Sequence, residues 1–221
     1  MRADDRTARR RARGVLRDAG LAALLAAGVV AGAAAQTTEQ LQREALEQAK
    51  AGGQFAWAAS RALTWDDFRG RPRAGLFKAA ETVSRVTYLI GCLGQETRFT
   101  VVTTFSTMES WVRRDVRDNA AAGAQTLRHE QTHFDITELF GRELRRVLGE
   151  ATGLCPGDLA RARALFDSLS VASQALQARY DLETEHGTNA DMQHAWSLTV
   201  QARLEALAAY AEEPAGDRAG L

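Results

Sequence analysis

The sequence predicts an α+β fold in which a small antiparallel sheet precedes several long helices. Two segments, 83–90 and 97–106, alternate apolar and polar residues with the period of a strand. The turn-forming sequence Gly91-Cys-Leu-Gly94 lies between them, so we expect the two strands to form a hairpin. From Ala120 onward the composition is helical, with helices expected over 121–148, 158–185 and 190–211. This order, with strands first and helices afterwards, is typical of α+β proteins.

The composition limits the classes of protein to which the chain can belong. With 221 residues, of which 45% are hydrophobic and 25% charged, the chain can form one domain with a real core, and disorder is excluded. The formal net charge of +0 conceals an asymmetry, because residues 1–35 hold seven Arg and three acids, and the remainder holds 21 bases and 25 acids. This mildly acidic body lacks the basic surface of a nucleic-acid-binding protein, so we expect no nucleic-acid partner.

Residues 1–35 have the pattern of a signal peptide. An arginine-rich start that ends at Arg17 is followed by the uncharged apolar run 19–35, which closes with Ala33-Ala34-Ala35 before Gln36. The run is shorter than the roughly 20 residues of a membrane-spanning helix. We therefore expect cleavage after Ala35, export to the periplasm or beyond the cell, and no stable membrane span afterwards. Retention of the segment as an anchor is the alternative.

The mature chain divides into three parts by composition. Residues 36–62 are predicted to form a polar helix or linker, 63–211 the main domain, and 212–221 a flexible tail rich in Pro, Gly and charge. Cys92 and Cys155 are the two cysteines, and in an exported chain such a pair predicts one disulfide. Zinc ligation by their thiolates is the less favoured alternative, because their spacing lacks the C-x-x-C pattern.

The chemistry is concentrated in His129-Glu-Gln-Thr-His133, an H-E-x-x-H motif within a predicted helix. Residues four apart lie on the same face of a helix, so His129 and His133 can both reach one metal ion. Glu130 lies about 100° from His129 around the helix, where it can act on a water bound to that metal. The motif predicts a zinc ion held by the two histidines, with Glu130 as general base. Two surface histidines on a helix are the alternative.

The extended string His129-Glu-Gln-Thr-His-Phe-Asp-Ile-Thr-Glu-Leu139 resembles the H-E-Q-x-H-F-D-I stretch of a bacterial family of predicted secreted zinc-dependent proteases, known mainly as a domain of unknown function. Trp65-Asp-Asp-Phe68, Ser110-Trp-Val112 and Tyr180-Asp-Leu-Glu-Thr-Glu-His-Gly187 also resemble that family, and the likeness covers roughly 63–200. The resemblance implies a zincin-like fold, a zinc cofactor and peptide hydrolysis, and it implies no particular substrate.

A catalytic zinc site has three protein ligands and one open position, so a third ligand is needed. Asp135 and Glu138 follow the motif closely, but they lie about 240° and about 180° around the helix from His129 and therefore face away. The two remaining histidines are His186 and His194, and the polar surroundings of His194 indicate a surface residue.

His186 is the expected third ligand, because it lies where a long helix is predicted to end and Gly187 lets the backbone turn away. Glu183 is the alternative ligand, or lies beside the ligand if His186 holds the metal. Tyr180 shares part of this helix face, and its phenol is a candidate donor to the oxyanion of a tetrahedral intermediate. Packing between helices is the alternative role for Tyr180.

Two functions of different classes agree with these observations. The first is an exported zinc metallopeptidase acting on a peptide or protein, with the substrate added as a strand to a sheet edge, for which 97–106 is the candidate. The second is a non-catalytic, zinc-binding envelope protein with a zincin fold that binds a protein partner. Glu130 favours the enzyme, because a degenerate relative would be expected to lose the base first.

Overall fold

The computed structural model describes residues 37–73 and 78–212, so the predicted signal peptide and residues 213–221 of the predicted tail lie outside it. The α+β prediction is confirmed: a small antiparallel sheet is followed by long helices. The elements in chain order are α1 (Thr38–Ala51), β1 (Gln54–Ala56), β2 (Ala80–Glu81), β3 (Ser84–Leu93), β4 (Glu96–Ser106), β5 (Trp111–Val112), α2 (Arg114–Arg117), α3 (Ala120–Glu150), α4 (Leu159–Glu183) and α5 (Ala190–Ala206). Two short 3-10 turns cover Trp65–Asp67 and Ala208–Tyr210.

The predicted hairpin is present as β3 and β4, which pair antiparallel from Ser84 opposite Phe105 to Leu93 opposite Glu96. The turn lies later than the sequence predicted, because β3 continues through Gly91 to Leu93. Gly94 opens the two-residue turn with φ +62°, a value that glycine adopts without strain.

Strand β4 is the middle strand of the main sheet, but β1 covers only the last part of the segment 97–106 that was the candidate edge, because β1 pairs with residues 104–106. The main sheet has the order β1-β4-β3, and β2 pairs with β5 separately. Both faces of β4 are covered, so that every residue from 100 to 106 is buried, including the threonines that the alternating pattern assigned to solvent. On the β1 side, residues 97–102 of β4 pair with no strand in the described part of the chain, and the Arg145 side chain donates to the Val101 carbonyl oxygen there.

Helices cover the sheet on both faces. On one face, α1 packs Leu41 and Ala45 against Leu89 and Val102. On the other, α3 and α4 form the largest core cluster with the sheet, which comprises Val86, Ile90, Val101, Phe140, Leu144, Leu148, Leu154, Ala162 and Phe166. The predicted linker 36–62 thus contains α1 and β1, and it is an integral part of this domain.

Helix α3 is the longest helix, and it packs against the sheet and against both α4 and α5. Its N-terminus is capped by Asn119, whose side chain accepts a hydrogen bond from the Ala122 amide at 3.0 Å. Glu138 lies on the face turned away from the histidines and accepts hydrogen bonds from Arg142 and Arg145, both at 3.0 Å. Arg145 also pairs with Glu212, so the first residue of the predicted tail packs on the domain.

None of the helices in the described ranges has a stretch long and apolar enough to cross a bilayer.

The predicted disulfide is present and joins Cys92, near the hairpin turn, to Cys155, in the connection between α3 and α4. The Cα atoms are 5.6 Å apart, and the linked residues are 63 positions apart in the sequence. The crosslink therefore ties the far end of the sheet to the point where the chain turns back alongside α3.

Removing this crosslink is expected to destabilise the fold, because the reduced chain gains entropy when it unfolds. A loop of this length corresponds to about 4 kcal/mol in the chain-entropy account. The double variant Cys92→Ser, Cys155→Ser should lose a large part of that unfolding free energy in denaturant titrations. Reductant should shift the midpoint of the unaltered protein and leave the double variant unchanged. Equal midpoints for the disulfide-bonded protein and the double variant, both measured without reductant, would contradict a stabilising role.

Candidate metal centre

Three side chains from two helices meet at one point, and we call them the metal trio: His129 and His133 of α3, and Asp181 of α4. Asp181 Oδ1 lies 3.0 Å from His129 Nε2 and 2.9 Å from His133 Nε2. The two Nε2 atoms are 3.1 Å apart. Both histidines project from one face of α3 toward one point, as their spacing of four residues predicted.

The pairing of α3 with α4 explains why these side chains meet. The two histidines are four positions apart on α3, and Gln177 and Asp181 are also four positions apart on α4. His129 contacts Asp181, while His133 contacts both Asp181 and Gln177. Because the helices pack side by side in opposite directions, one turn of each helix faces one turn of the other.

Gln177 determines which nitrogen of His133 carries the proton. The amide nitrogen of Gln177 donates to the His133 carbonyl oxygen at 2.9 Å, and this fixes the orientation of the amide group. Its oxygen then faces His133 Nδ1 at 2.5 Å, and an amide oxygen only accepts hydrogen bonds. His133 therefore donates through Nδ1, and in the neutral ring Nε2 presents a lone pair to the trio.

Gln193 of α5 has the same effect on His129. Its amide nitrogen lies 3.3 Å from Thr132 Oγ1 and 3.2 Å from Ser197 Oγ, two hydroxyls that donate to backbone carbonyls. Its oxygen faces His129 Nδ1 at 3.1 Å and also accepts from the Tyr180 hydroxyl at 2.6 Å. His129 thus donates through Nδ1, and its Nε2 is an acceptor as well.

The trio therefore presents three acceptor atoms to one another, and this arrangement calls for a positive charge between them. Neutral imidazole nitrogens and a carboxylate oxygen are the ligands that zinc takes, at about 2.0–2.2 Å. A tetrahedral ion with such bonds separates its ligands by about 3.3 Å, slightly more than the 2.9–3.1 Å found in the trio. The donor set and its spacing fit a zinc ion.

The pKa values of Asp181 and His133 are also shifted by the close approach of the acceptor atoms. Burial raises the pKa of Asp181, but the hydrogen bonds with His129 and His133 outweigh burial and hold that pKa well below its ordinary value. Burial lowers the pKa of His133, but its hydrogen bond and charge interaction with Asp181 raise the pKa above its ordinary value. Both shifts describe an ionised Asp181 carboxylate paired with a protonated His133, so a proton on His133 can also supply the positive charge that the acceptor atoms need.

Glu130 is buried at the same site and has an oxygen with unused hydrogen-bonding capacity. Its side chain follows His129 on α3, and the residue is 4% exposed. Within the described part of the chain, Glu130 Oε2 finds no hydrogen-bond partner. A buried carboxylate oxygen without a partner is costly, and such atoms call for an explanation. A water molecule beside the trio would supply the missing donor.

The turn between α4 and α5 closes over His129. Gly187 has φ +81°, and a Cβ atom built there would lie 2.8 Å from Cγ of the His129 ring. The Gly187 carbonyl accepts a hydrogen bond from the Gln125 side chain of α3 at 2.7 Å. Only glycine fits both this backbone conformation and this close approach.

His186 and Glu183, the two residues expected to supply the third ligand, are not part of the trio. His186 is beyond the trio, with its Nδ1 3.8 Å from Asp181 Oδ1 and its side chain 73% exposed. Glu183 lies two residues after Asp181, about 200° around α4, and its carboxylate binds Arg179 and Trp196. The structure thus brings Asp181 to the histidines in the place that the sequence assigned to His186 or Glu183.

Tyr180 is fully buried and does not face the trio with its hydroxyl, contrary to its suggested role as an oxyanion donor. Its hydroxyl donates to Gln193 Oε1 and to the His129 carbonyl. Its ring stacks on His129 at 4.7 Å and meets His133 edge-on at 4.9 Å. Tyr180 therefore acts as the packing residue of the alternative reading, and it holds both imidazole rings in place.

The sequence prediction did not include Asp181, because it took the third ligand from the remaining histidines or from the last turn of the predicted helix. A usable pattern was present, since Gln177, Asp181 and Thr184 fall on one face of α4 at spacings of four and three. The predictions for Asp135 and Glu138 agree with the structure. Asp135 accepts hydrogen bonds from Trp57, Gln131 and Gln201 and makes none with the trio.

The fold and the site together define an α+β domain whose longest helix carries a buried His-Glu-x-x-His motif and whose next helix supplies an aspartate. Residues 29–187 match a family described as bacterial protein of unknown function (DUF922), and the chain belongs to this family. No curated protein and no solved structure matches the chain. Because the family description names no activity, the function has to be argued from the site.

Gly187→Ala is expected to displace His129, because the added methyl group would overlap its ring. Gly153→Ala is the matched control, since Gly153 has φ +72° and open space where Cβ would lie. The control should lose about 1 kcal/mol of unfolding free energy through backbone strain. Gly187→Ala should lose a further 1–3 kcal/mol or so through overpacking. Titration with a chromophoric chelator should show weaker zinc binding for Gly187→Ala alone. Equal losses for both variants would contradict this packing role.

Proposed function

We propose that this protein is an exported zinc metallopeptidase, with His129, His133 and Asp181 as zinc ligands and Glu130 as general base. The observation that carries the proposal is the meeting of three acceptor atoms, together with a buried Glu130 oxygen that lacks a partner in the described part of the chain and whose carboxylate charge acts on His133. Zinc, when bound, would polarise the substrate carbonyl and acidify a water molecule. Two histidines and one carboxylate leave the open position that a catalytic site requires.

The chain's own residues would then carry the proton transfers. Glu130 accepts a proton from the attacking water, whose oxygen bonds to the carbonyl carbon of the peptide. The C–N bond breaks, and Glu130 passes its proton to the leaving amine, so that one water yields a carboxyl group and an amine. Gln177 and Gln193 hold the imidazoles in the tautomer that ligation needs.

Two further observations support this function over a non-catalytic envelope protein. A purely structural zinc site is closed by four protein ligands, whereas three converge here. Glu130 is retained as a buried, incompletely bonded carboxylate, which has a cost in stability that catalysis would explain. The disulfide supports export, because such crosslinks persist in oxidising compartments.

Asp181→Asn should greatly weaken zinc binding, because it removes the charge and leaves the shape of the side chain. The expected loss exceeds the roughly 10- to 100-fold that removal of a supporting group costs. Glu183→Gln is the control, and its zinc affinity should match that of the unaltered protein. Metal analysis combined with chelator competition would measure both. A collapse of zinc binding in the Glu183 variant, with the Asp181 variant unaffected, would restore the assignment of Glu183 as ligand.

Glu130→Gln should retain zinc and lose peptide cleavage, because the amide cannot accept the proton. A loss of about 10²- to 10⁴-fold in turnover is expected from removal of a general base. A mixture of fluorogenic peptides, together with metal analysis of the same samples, gives both quantities. If the unaltered protein binds zinc and cleaves none of the peptides, the non-catalytic function gains support.

A further inference from the structure

The turn between α4 and α5 is held in an unusual backbone conformation. Glu185, His186 and Gly187 have φ values of 49°, 54° and 81°, so three consecutive residues are left-handed. For a residue other than glycine this conformation is unfavourable, and left-handed residues ordinarily occur singly. Glu185 and His186 are therefore both strained, and strain of this kind is concentrated at functional sites.

Hydrogen bonds with adjacent residues of the same chain hold the turn in this conformation. The His186 amide donates to the Asp181 carbonyl at 2.8 Å, and the Asn189 amide donates to the Thr184 carbonyl at 3.0 Å. The Gly187 amide donates to the fully buried Thr184 hydroxyl at 3.2 Å, and the same hydroxyl donates to the Tyr180 carbonyl. The turn is thus fixed to the end of α4, which carries the trio's carboxylate.

His186 lies at the exposed margin of the site. Side-chain exposure rises from 6% for His129 through 17% for His133 and 26% for Asp181 to 73% for His186. His186 Nδ1 is 3.8 Å from Asp181 Oδ1. A solvent-exposed imidazole therefore lies next to the trio's carboxylate, within reach of a substrate bound there.

We infer that His186 is a catalytic residue that contacts the substrate, donating an imidazole N–H to the scissile carbonyl oxygen as that oxygen becomes anionic. This inference rests on the proposed function and gives His186 a role other than metal ligation. The turn fixes the backbone of His186, so its imidazole stays within reach of the centre when negative charge develops on the substrate. The Tyr180 hydroxyl, which is committed to Gln193, leaves this role open.

His186→Gly separates this role from a structural one. Glycine accepts the left-handed conformation without strain, so the variant should be at least as stable as the unaltered protein in thermal unfolding. It should bind zinc with unchanged affinity. Glu185→Gly is the matched control, because it relieves the same strain in the adjacent residue and leaves the imidazole in place.

The probe is inorganic phosphate, a tetrahedral oxyanion, titrated into the cobalt-loaded, disulfide-bonded protein and followed by its visible absorption. Phosphate affinity should fall about 10- to 100-fold in His186→Gly, the loss expected for one hydrogen bond to a charged group. It should stay unchanged in Glu185→Gly. Peptide turnover should also fall in His186→Gly and stay unchanged in Glu185→Gly.

Three results would overturn the inference. Unchanged phosphate affinity in His186→Gly would show that the imidazole does not contact an oxyanion. A zinc affinity reduced 100-fold or more would make His186 a metal ligand. Absence of any phosphate effect on the unaltered cobalt protein would show that the centre does not receive such an anion. Failure of the unaltered protein to bind zinc would instead refute the proposed function.

Discussion

The contact between α3 and α4 brings two imidazole nitrogens and a carboxylate oxygen within about 3 Å of one another, and the rest of the site depends on that contact. Acceptors at this distance repel one another unless a proton or a cation lies between them. Because Gln177 and Gln193 fix the Nδ1 protons, neither ring can relieve the repulsion by changing tautomer. Metal binding would therefore stabilise the fold in addition to supplying the site with its proposed chemistry.

The opposite side of α3 determines how the helix is rotated toward its partners. Asp135 accepts hydrogen bonds from Trp57 and Gln201, and Glu138 receives two arginines. These buried carboxylates are fully engaged away from the trio, so they cannot compete for its metal. A buried charge with several donors resists rotation of the helix, because any turn of α3 would break these bonds and expose unpaired groups.

The parts of this structure that depend on local spacing could be predicted from the sequence. The hairpin, the long helices, the shared face of His129 and His133 and the disulfide all follow from periodicity or from residue type. The burial of both faces of β4 could not be predicted, because alternation does not reveal what covers each face of a strand. Asp181 was harder to predict. The spacing of Gln177, Asp181 and Thr184 defines one face of α4, but which turn of that face lies beside the motif depends on how α4 packs against α3.

The length of the third ligand follows from how closely the helices pack. The Tyr180 ring lies 4.7 Å from the His129 ring and 4.9 Å from the His133 ring, so the aromatic groups already fill the space between α3 and α4. The short carboxylate of Asp181 reaches both imidazole nitrogens within this spacing. The longer Gln177 side chain, one turn earlier on α4, instead reaches past the centre to His133 Nδ1 and to the His133 carbonyl oxygen. His186 lies beyond the end of α4, where the chain turns outward and its side chain faces solvent.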